Sequence, residues 1–513
     1  MMDPTKPFGE VCCEYERQLL GKDYQDYFFD HAPFNFDSLD RNNYLIVGRR
    51  GCGKTSLAEF FKFQTEIPNS TCIKVDEPSV YTEVSQKAFE LLNYPPEIAI
   101  PKMAEMWEYA IWSLIFETYK DCEPTILSAC IMNSEMGTPS SLLQKVFSGL
   151  LARLIGENGQ EIADCLDAFL NARTYEVAIE SVLRISPKKP IFVAIDSMDH
   201  YSVENPIVMW STAALVQCAS RFNNKYARFG IHIKLFLTDE IFPHLQEKFI
   251  MNPLKHVREP LFLHWRPKDL ARLVCWRFYK YLAESNPDAL VHRRIDWDNF
   301  QDVHEKMWIP YFGETIENRN GLTESTFPYV LRHSQMRPRQ LIVLCNAIAK
   351  EAQRQKTFPS FNRMVVLEAV WRSELHLANE VLNAYSHIYP NISHIVEALS
   401  GLPMTFKGNE LDKVARRTAS RWPKGRYSLD LFRQVVTELG IVGRRRGLKD
   451  ERTGIMEADF EFAMDDRLFV HEQDDCAIHP MFYRKLNIGK QDRTSVYPFP
   501  DRPDYEMPQG ARR

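Results

Sequence analysis

The 513-residue chain is short of the features that would mark a secreted or membrane protein. No stretch approaches the roughly 18 uncharged apolar residues that a membrane-spanning helix needs, so no transmembrane segment is expected. The opening residues, MMDPTKPFGEVCCEYERQLL, lack a basic region leading into an apolar run, so no secretory leader is expected either. Eleven cysteines are scattered, only Cys12 and Cys13 are neighbours, and no C-x-x-C pair occurs. That spacing excludes a zinc ribbon and gives no disulfide framework, and reduced thiols in a cytoplasmic protein are the expectation. No long low-complexity tract interrupts a composition that is 45% hydrophobic and 26% charged, which is ordinary for a folded globular chain of roughly two to four domains.

The net charge of −5 argues against general coating of nucleic acid, but the charge is uneven. Residues 407–452 hold 13 Lys/Arg against 6 Asp/Glu, a surplus of seven, so the rest of the chain carries −12. Basic charge is therefore concentrated near the C-terminus, where contact with DNA is one expectation.

The stretch YLIVGRRGCGKTSLAEFF, residues 44–61, carries the strongest motif. A short apolar run, Tyr44 to Val47, leads into Gly48-Arg49-Arg50-Gly51-Cys52-Gly53-Lys54-Thr55, which fits G-x-x-x-x-G-K-[ST], and Ser56 onward reads as helix. Strand, glycine loop and helix stand in the order that points successive backbone N–H groups at a phosphate on the positive end of a helix. Lys54 adds a point charge for the β- and γ-phosphates, and Thr55 a hydroxyl for Mg²⁺. Gly48 through Ser56 are the expected nucleotide contacts. A chance match is the alternative, and the correct flanks argue against it.

Such a loop needs an acid for the metal. Residues 190–199, PIFVAIDSMD, supply an apolar run from Ile191 to Ile195, as expected of a parallel strand buried on both faces, with Asp196 at its carboxyl end. Asp196 is the candidate Mg²⁺ ligand; the alternative is an ordinary strand-end acid capping the next helix. The next position is Ser197, where many such ATPases carry the water-activating Glu, and Asp199 is the substitute candidate for that role. Hydrolysis is expected to be slow, as in a timed switch. The run IHIKLFL at 231–237 ends at Thr238, the candidate γ-phosphate sensor, and residues 259–265 read as a last core strand. With Thr71 to Val75, five strands separated by helical spans predict an α/β fold with a doubly wound parallel sheet.

Five segments follow. Residues 1–40 form an N-terminal segment and 41–265 the P-loop core, with a helical insert at 77–185. Residues 266–378 form a helical lid, on which Arg337 and Arg339 open a helix and are candidates to reach a γ-phosphate. Residues 379–490 read as three helices (391–400, 408–419, 428–439) followed by a β-hairpin of 441–442 and 460–464 against 468–471, the pattern of a winged helix; 491–513 are a tail. Arg416, Arg417, Arg421, Lys424, Arg426 and Arg444 to Arg446 would form a phosphate footprint there. Arg221 and Arg228 are the candidates for an arginine finger acting across a subunit boundary.

Taken together, GRRGCGKTS, FVAIDSMD, IKLFLTD, MRPRQL and the C-terminal pattern resemble the AAA+/STAND branch of P-loop ATPases in the arrangement of Orc/Cdc6-type proteins, and are most similar to bacterial P-loop ATPases of antiphage defence loci. The resemblance implies binding of ATP with Mg²⁺, nucleotide-dependent homo-oligomerisation and transmission of that state to a separate effector protein. The alternative it leaves open is an initiator or loader that closes on DNA. Thr238 is followed by Asp239 and Glu240, not by the arginine usual in STAND members.

Overall fold

The computed structural model describes residues 3–27, 40–59, 67, 69–76, 95–130, 146, 173–196, 205–250, 253–290, 294–446, 454–464, 467–489 and 493–499. The chain divides into two units: a P-loop unit, Phe34–Leu263, and a C-terminal unit, made of Met1–Pro33 with His264–Arg513.

The P-loop unit is built on five strands, β1 (Leu45–Gly48), β2 (Thr71–Asp76), β3 (Ile191–Asp196), β4 (Ile231–Thr238) and β5 (Leu261–Phe262). They form one parallel sheet in the order β2-β3-β4-β1-β5. The five expected strands are therefore present, in a single sheet. Continuous apolar runs form them because a parallel strand is covered on both faces. Leu45, Ile46 and Val47 are all fully buried, each contributing about 1.5–3 kcal/mol relative to exposure. The last strand is short, two residues paired with Ile46 and Val47.

Strand β4 pairs with β1 only from Leu235 onward, which leaves the backbone of Ile233 open on that side. Asn223, on the helix Pro206–Tyr226, closes the gap: its Nδ2 donates to Ile233 O and its Oδ1 accepts from Ile233 N, both at 3.1 Å. That helix starts at Asn205, whose side chain accepts from Ile207 and Val208 N–H, and continues into Pro at its first position, where a missing N–H costs nothing. The described part of the long insert includes the helix Pro96–Tyr119, which packs on Pro206–Tyr226. Trp107 Nε1 donates to Ser211 O at 3.1 Å, and the Trp112 ring meets Tyr226 edge-on. This helix is scaffold. Within the sheet, His232 stacks flat on Phe192, and burial pushes its imidazole down to about 3, so it packs as a neutral ring.

The C-terminal unit is helical through its first half. Phe8 stacks on Phe278 of the helix Pro267–Ser285 at 4.8 Å, and Glu16 pairs with Arg277 through two hydrogen bonds of 2.7 and 2.9 Å. These contacts bind the N-terminal residues into this unit. A hairpin, β6 (Thr315–Glu317) and β7 (Thr323–Ser325), precedes the packed helix pair Pro338–Arg354 and Arg363–Tyr385.

Further on come the helices Ile392–Val396, Asn409–Thr418 and Leu429–Glu438, close to the expected spans. The strands are β8 (Thr405–Lys407), β9 (Val442–Arg445), β10 (Ile455–Asp459), β11 (Asp475–Ile478) and β12 (Ser495–Tyr497), in the order β12-β10-β9-β11-β8. Here the expected hairpin is corrected. Residues 460–464 and 468–471 are not its strands; β9 pairs with β10 and β11 instead. Phe460 and Phe462 alternate as a strand would, but both rings lie against His479, and the chain turns through a short 3₁₀ helix, Glu461–Ala463. No described helix is long and apolar enough to cross a membrane.

Candidate functional site

The site is assembled at the carboxyl ends of β1, β3 and β4, the edge where ligands bind in open α/β sheets. Register sets the spacing: Gly48, the last residue of β1, lies opposite Thr238, the last of β4, and the neighbouring pair Ile195 and Leu235 ties β3 to β4 one step back. A single β4 strand thus separates the glycine loop from Asp196.

The loop itself turns on two glycines. Gly51 and Gly53 have φ of 79° and 102°, a region that side-chain-bearing residues avoid, so the backbone curls where the motif requires it. Cys52 N–H donates back to Arg49 O at 3.1 Å, and Leu57 N–H to Gly53 O at 2.9 Å, which starts the helix Lys54–Glu59. Gly48 is glycine for a different reason. A Cβ there would stand 2.5 Å from Cys52 Sγ and 3.1 Å from Leu263 Cβ, so only a bare backbone fits between the loop and β5.

Lys54 is 5% exposed, and its ammonium donates to Gly48 O at 2.8 Å and Arg49 O at 3.3 Å. These carbonyls hold the charge at the mouth of the loop. Thr55 Oγ1 donates to Asp196 Oδ2 at 2.7 Å. Thr238 is buried beside Gly48, and the Asp239 N–H donates to Gly48 O at 3.2 Å.

The structure therefore brings Gly48, Arg49, Arg50, Gly51, Cys52, Gly53, Lys54, Thr55, Ser56, Asp196 and Thr238 to one sheet edge. Asp199 and Ser197 lie outside the described residues. Arg337 and Arg339 belong to the C-terminal unit. Arg337 precedes the helix Pro338–Arg354, is 2% exposed, and donates to Gln335 Oε1 at 3.0 Å; Arg339 is half-exposed and lies 3.9 Å from Glu380. Arg221 and Arg228 lie between β3 and β4 in sequence, in the last turns of Pro206–Tyr226 and in the short 3₁₀ helix that leads into the amino end of β4, not at the carboxyl edge that carries the site.

One participant was not foreseen. Glu240 is buried, and its carboxylate accepts the Arg50 N–H at 3.1 and 3.3 Å, tying the apex of the glycine loop to the end of β4. Nothing in the sequence but an acid two residues past a strand end signals it, since the contact spans 190 residues.

The donor set suits Mg²⁺ in a specific way. One hydroxyl and one carboxylate in contact, with no group of three or more His, Cys, Asp or Glu side chains able to hold a metal among the described residues, cannot cage a cation alone. Mg²⁺ keeps several waters and commonly binds one or two protein oxygens plus substrate phosphates, which is what Thr55 and Asp196 offer.

In the C-terminal unit the basic residues separate into two groups. Arg445 pairs with Asp475 at 3.3 Å and Arg446 with Asp459 at 2.8 Å, so this charge is largely neutralised within the sheet. Arg416, Arg417, Arg421, Lys424 and Arg426 are exposed on the end of Asn409–Thr418 and the turn after it.

No family model and no curated protein matches the chain. Among solved structures it is similar to the ORC2 protein of Aeropyrum pernix in ADPNP–ADP complexes, with 14% identity over 83% of this chain and 91% of that one and a TM-score of 0.35. The ADP form of the same protein matches with 13% identity over 90% of this chain and 94% of that one, at a TM-score of 0.28. Superposition this loose carries no argument for fold or function.

Proposed function

We propose that the chain binds ATP with Mg²⁺ and hydrolyses it slowly, acting as a nucleotide-dependent switch. The observation that carries the reading is the 2.7 Å hydrogen bond from Thr55 to Asp196 at the carboxyl edge of a parallel sheet, with Lys54 held at the glycine loop beside it. In this reading the loop N–H groups and Lys54 receive the β- and γ-phosphates, Thr55 and Asp196 hold Mg²⁺ with its waters, and Thr238 senses the γ-phosphate. The bound metal would neutralise charge developing on the phosphates during transfer.

The output separates two versions of the switch. One passes its state to copies of itself and to a separate effector protein, as resemblance to antiphage-defence ATPases implies. The other uses the C-terminal unit, taken as a winged helix, to contact DNA under ATP control, as an Orc/Cdc6-type initiator would. The exposed cluster of Arg416, Arg417, Arg421, Lys424 and Arg426 favours the second, because phosphate contact needs several solvent-accessible cations close together.

The test measures the mass of the purified chain in solution, alone and with Mg·ATP, for the wild type and Lys54→Ala. A shift to a larger defined assembly in the wild type only supports the self-assembling version. Constant mass with ATP bound, together with duplex binding that weakens steeply with salt and is lost on replacing Arg416 and Arg421, supports the DNA version. No ATP binding at all ends both.

A further inference from the structure

The C-terminal unit contains a cavity of about 300 Å³ that the nucleotide chemistry does not use, bounded by residues from the β6–β7 turn, the Thr326–Leu331 helix end, Arg363–Tyr385 and the segment around Tyr483. We infer that this cavity is a second ligand site, which takes a small polyanion bearing phosphate or carboxylate groups.

Three guanidiniums face it: Arg319, Arg332 and Arg484. Arg332 is almost fully buried. Its Nη2 donates to Glu324 at 3.1 Å, but Glu324 also accepts from Asn318 at 2.6 Å and Tyr497 at 2.7 Å, so one carboxylate is divided among three donors. Arg332 Nε has no hydrogen-bond partner. Arg484 forms no ion pair among the described residues and donates instead to the carbonyls of Trp371 and Arg372, at 3.2 and 3.4 Å. Arg319 has a carboxylate partner, Glu368 at 3.1 Å, but both side chains are about a third exposed, where such a pair is weakly held.

Aromatic rings fix these cations. The Trp371 ring lies 4.0 Å from the Arg484 guanidinium and 4.9 Å from that of Arg319, and Tyr329 lies 5.0 Å from that of Arg332. Guanidiniums held this way lose little further freedom when an anion arrives.

The remaining polar wall is uncharged at neutral pH. His333 Nδ1 lies 3.2 Å from Glu374 Oε1, outside hydrogen-bonding geometry. Burial pushes the Glu374 carboxyl up to about 8, and burial with Arg332 beside it holds the His333 imidazole well below its ordinary value. The Tyr483 hydroxyl and His333 Nε2 are buried without partners too. Buried polar atoms are rarely left unsatisfied, and here Arg332 Nε, His333 and Tyr483 cluster at one cavity whose ionised groups are all positive. A polyanion satisfies both the charge and the hydrogen bonds. The volume is at the lower end for ligand sites, which sets the scale at a small molecule rather than a polymer.

The test is calorimetric titration of the full chain carrying Lys54→Ala, so that the glycine loop contributes no phosphate binding, with pyrophosphate and separately with citrate at fixed ionic strength. Saturable one-site binding of at least one probe is expected, weakened at least about tenfold by Arg484→Gln and by Arg319→Gln, each of which removes one charge-assisted contact. Both positions lie at the cavity's solvent side, and thermal melts confirm that the variants fold; if one does not, the other decides. Binding of pyrophosphate alone identifies a phosphate-bearing ligand, citrate alone a carboxylate, and both a polyanion of either kind. Absence of saturable binding by either probe, or binding unchanged in the folded arginine variants, overturns the inference.

Discussion

Thr55 and Asp196, 141 residues apart in the chain, are joined by a single 2.7 Å hydrogen bond, and through it the helix after the glycine loop is tied to the end of β3. The partnership is local enough to be tested one atom at a time. Asp196→Asn keeps the shape and removes the charge that would hold Mg²⁺. ATP affinity without Mg²⁺ should stay within about threefold of the wild type, while the tightening on adding Mg²⁺ disappears. Lys54→Ala should instead weaken ATP binding about 10- to 100-fold with or without the metal, from loss of one charge-assisted contact. Titration with a fluorescent ATP analogue in EDTA and in Mg²⁺ separates the two, and an undiminished Mg²⁺ effect in Asp196→Asn would remove that residue from the site.

Glu240 anchors the loop apex through the Arg50 N–H. Glu240→Ala should lower the stability of the P-loop unit by about 1–2 kcal/mol and weaken nucleotide binding, because the loop loses a fixed point. Glu240→Gln, which keeps an acceptor oxygen, should recover most of both. Equal loss in the two variants would mean that the charge, not the hydrogen bond, matters.

At Gly48 the prediction concerns space. An added methyl would stand 2.5 Å from Cys52 Sγ, so Gly48→Ala should cost about 1–3 kcal/mol in denaturant unfolding. Adding Cys52→Ala removes the obstructing sulfur, and the double variant should be more stable than Gly48→Ala alone. If the second change brings further loss instead, the clash is elsewhere, with Leu263 the next nearest atom.

Glu374 supplies a pH dependence. Its folded value of about 8 stands above the ordinary 4.5, so between those values the folded chain keeps a proton that the unfolded chain has released. Stability from this group is full below about pH 4.5 and declines as pH rises toward about 8. Arg332, Arg319 and Arg484 oppose the shift, and burial outweighs them. Buried His333 works in the opposite sense, losing stability as pH falls below its ordinary 6.5, and does so in both variants. Glu374→Gln should therefore remove the decline on the alkaline side, seen as a flatter unfolding midpoint from about pH 6.5 to about pH 8, where His333 no longer contributes a slope. An unchanged slope would place the titrating group elsewhere.

The parallel sheet was legible because burial on both faces leaves its mark on consecutive residues: Leu45 to Val47 and Ile191 to Ile195 admit no polar side chain. The glycine loop was legible because its chemistry is fixed by spacing. The β9–β10 hairpin was not. Its buried positions on β10 are only Met456 and Ala458, a weaker signal than the alternating Phe460 and Phe462 next to it, whose rings serve a turn around His479. Glu240 and the Arg319, Arg332 and Arg484 cavity depend on contacts between distant segments, and no local pattern carries them.

The division of the chain has a consequence for the order in which it is made. The P-loop unit, residues 34–263, is an insertion within the other unit, whose first 33 residues leave the ribosome before the remainder exists. At about 5–20 residues per second, Phe8 and Glu16 wait roughly ten to fifty seconds for Phe278 and Arg277 to be synthesised, while the inserted unit can already fold. During that interval Phe8, buried in the finished unit, stays exposed on the nascent chain, and the step that closes the C-terminal unit is the joining of its two separated ends.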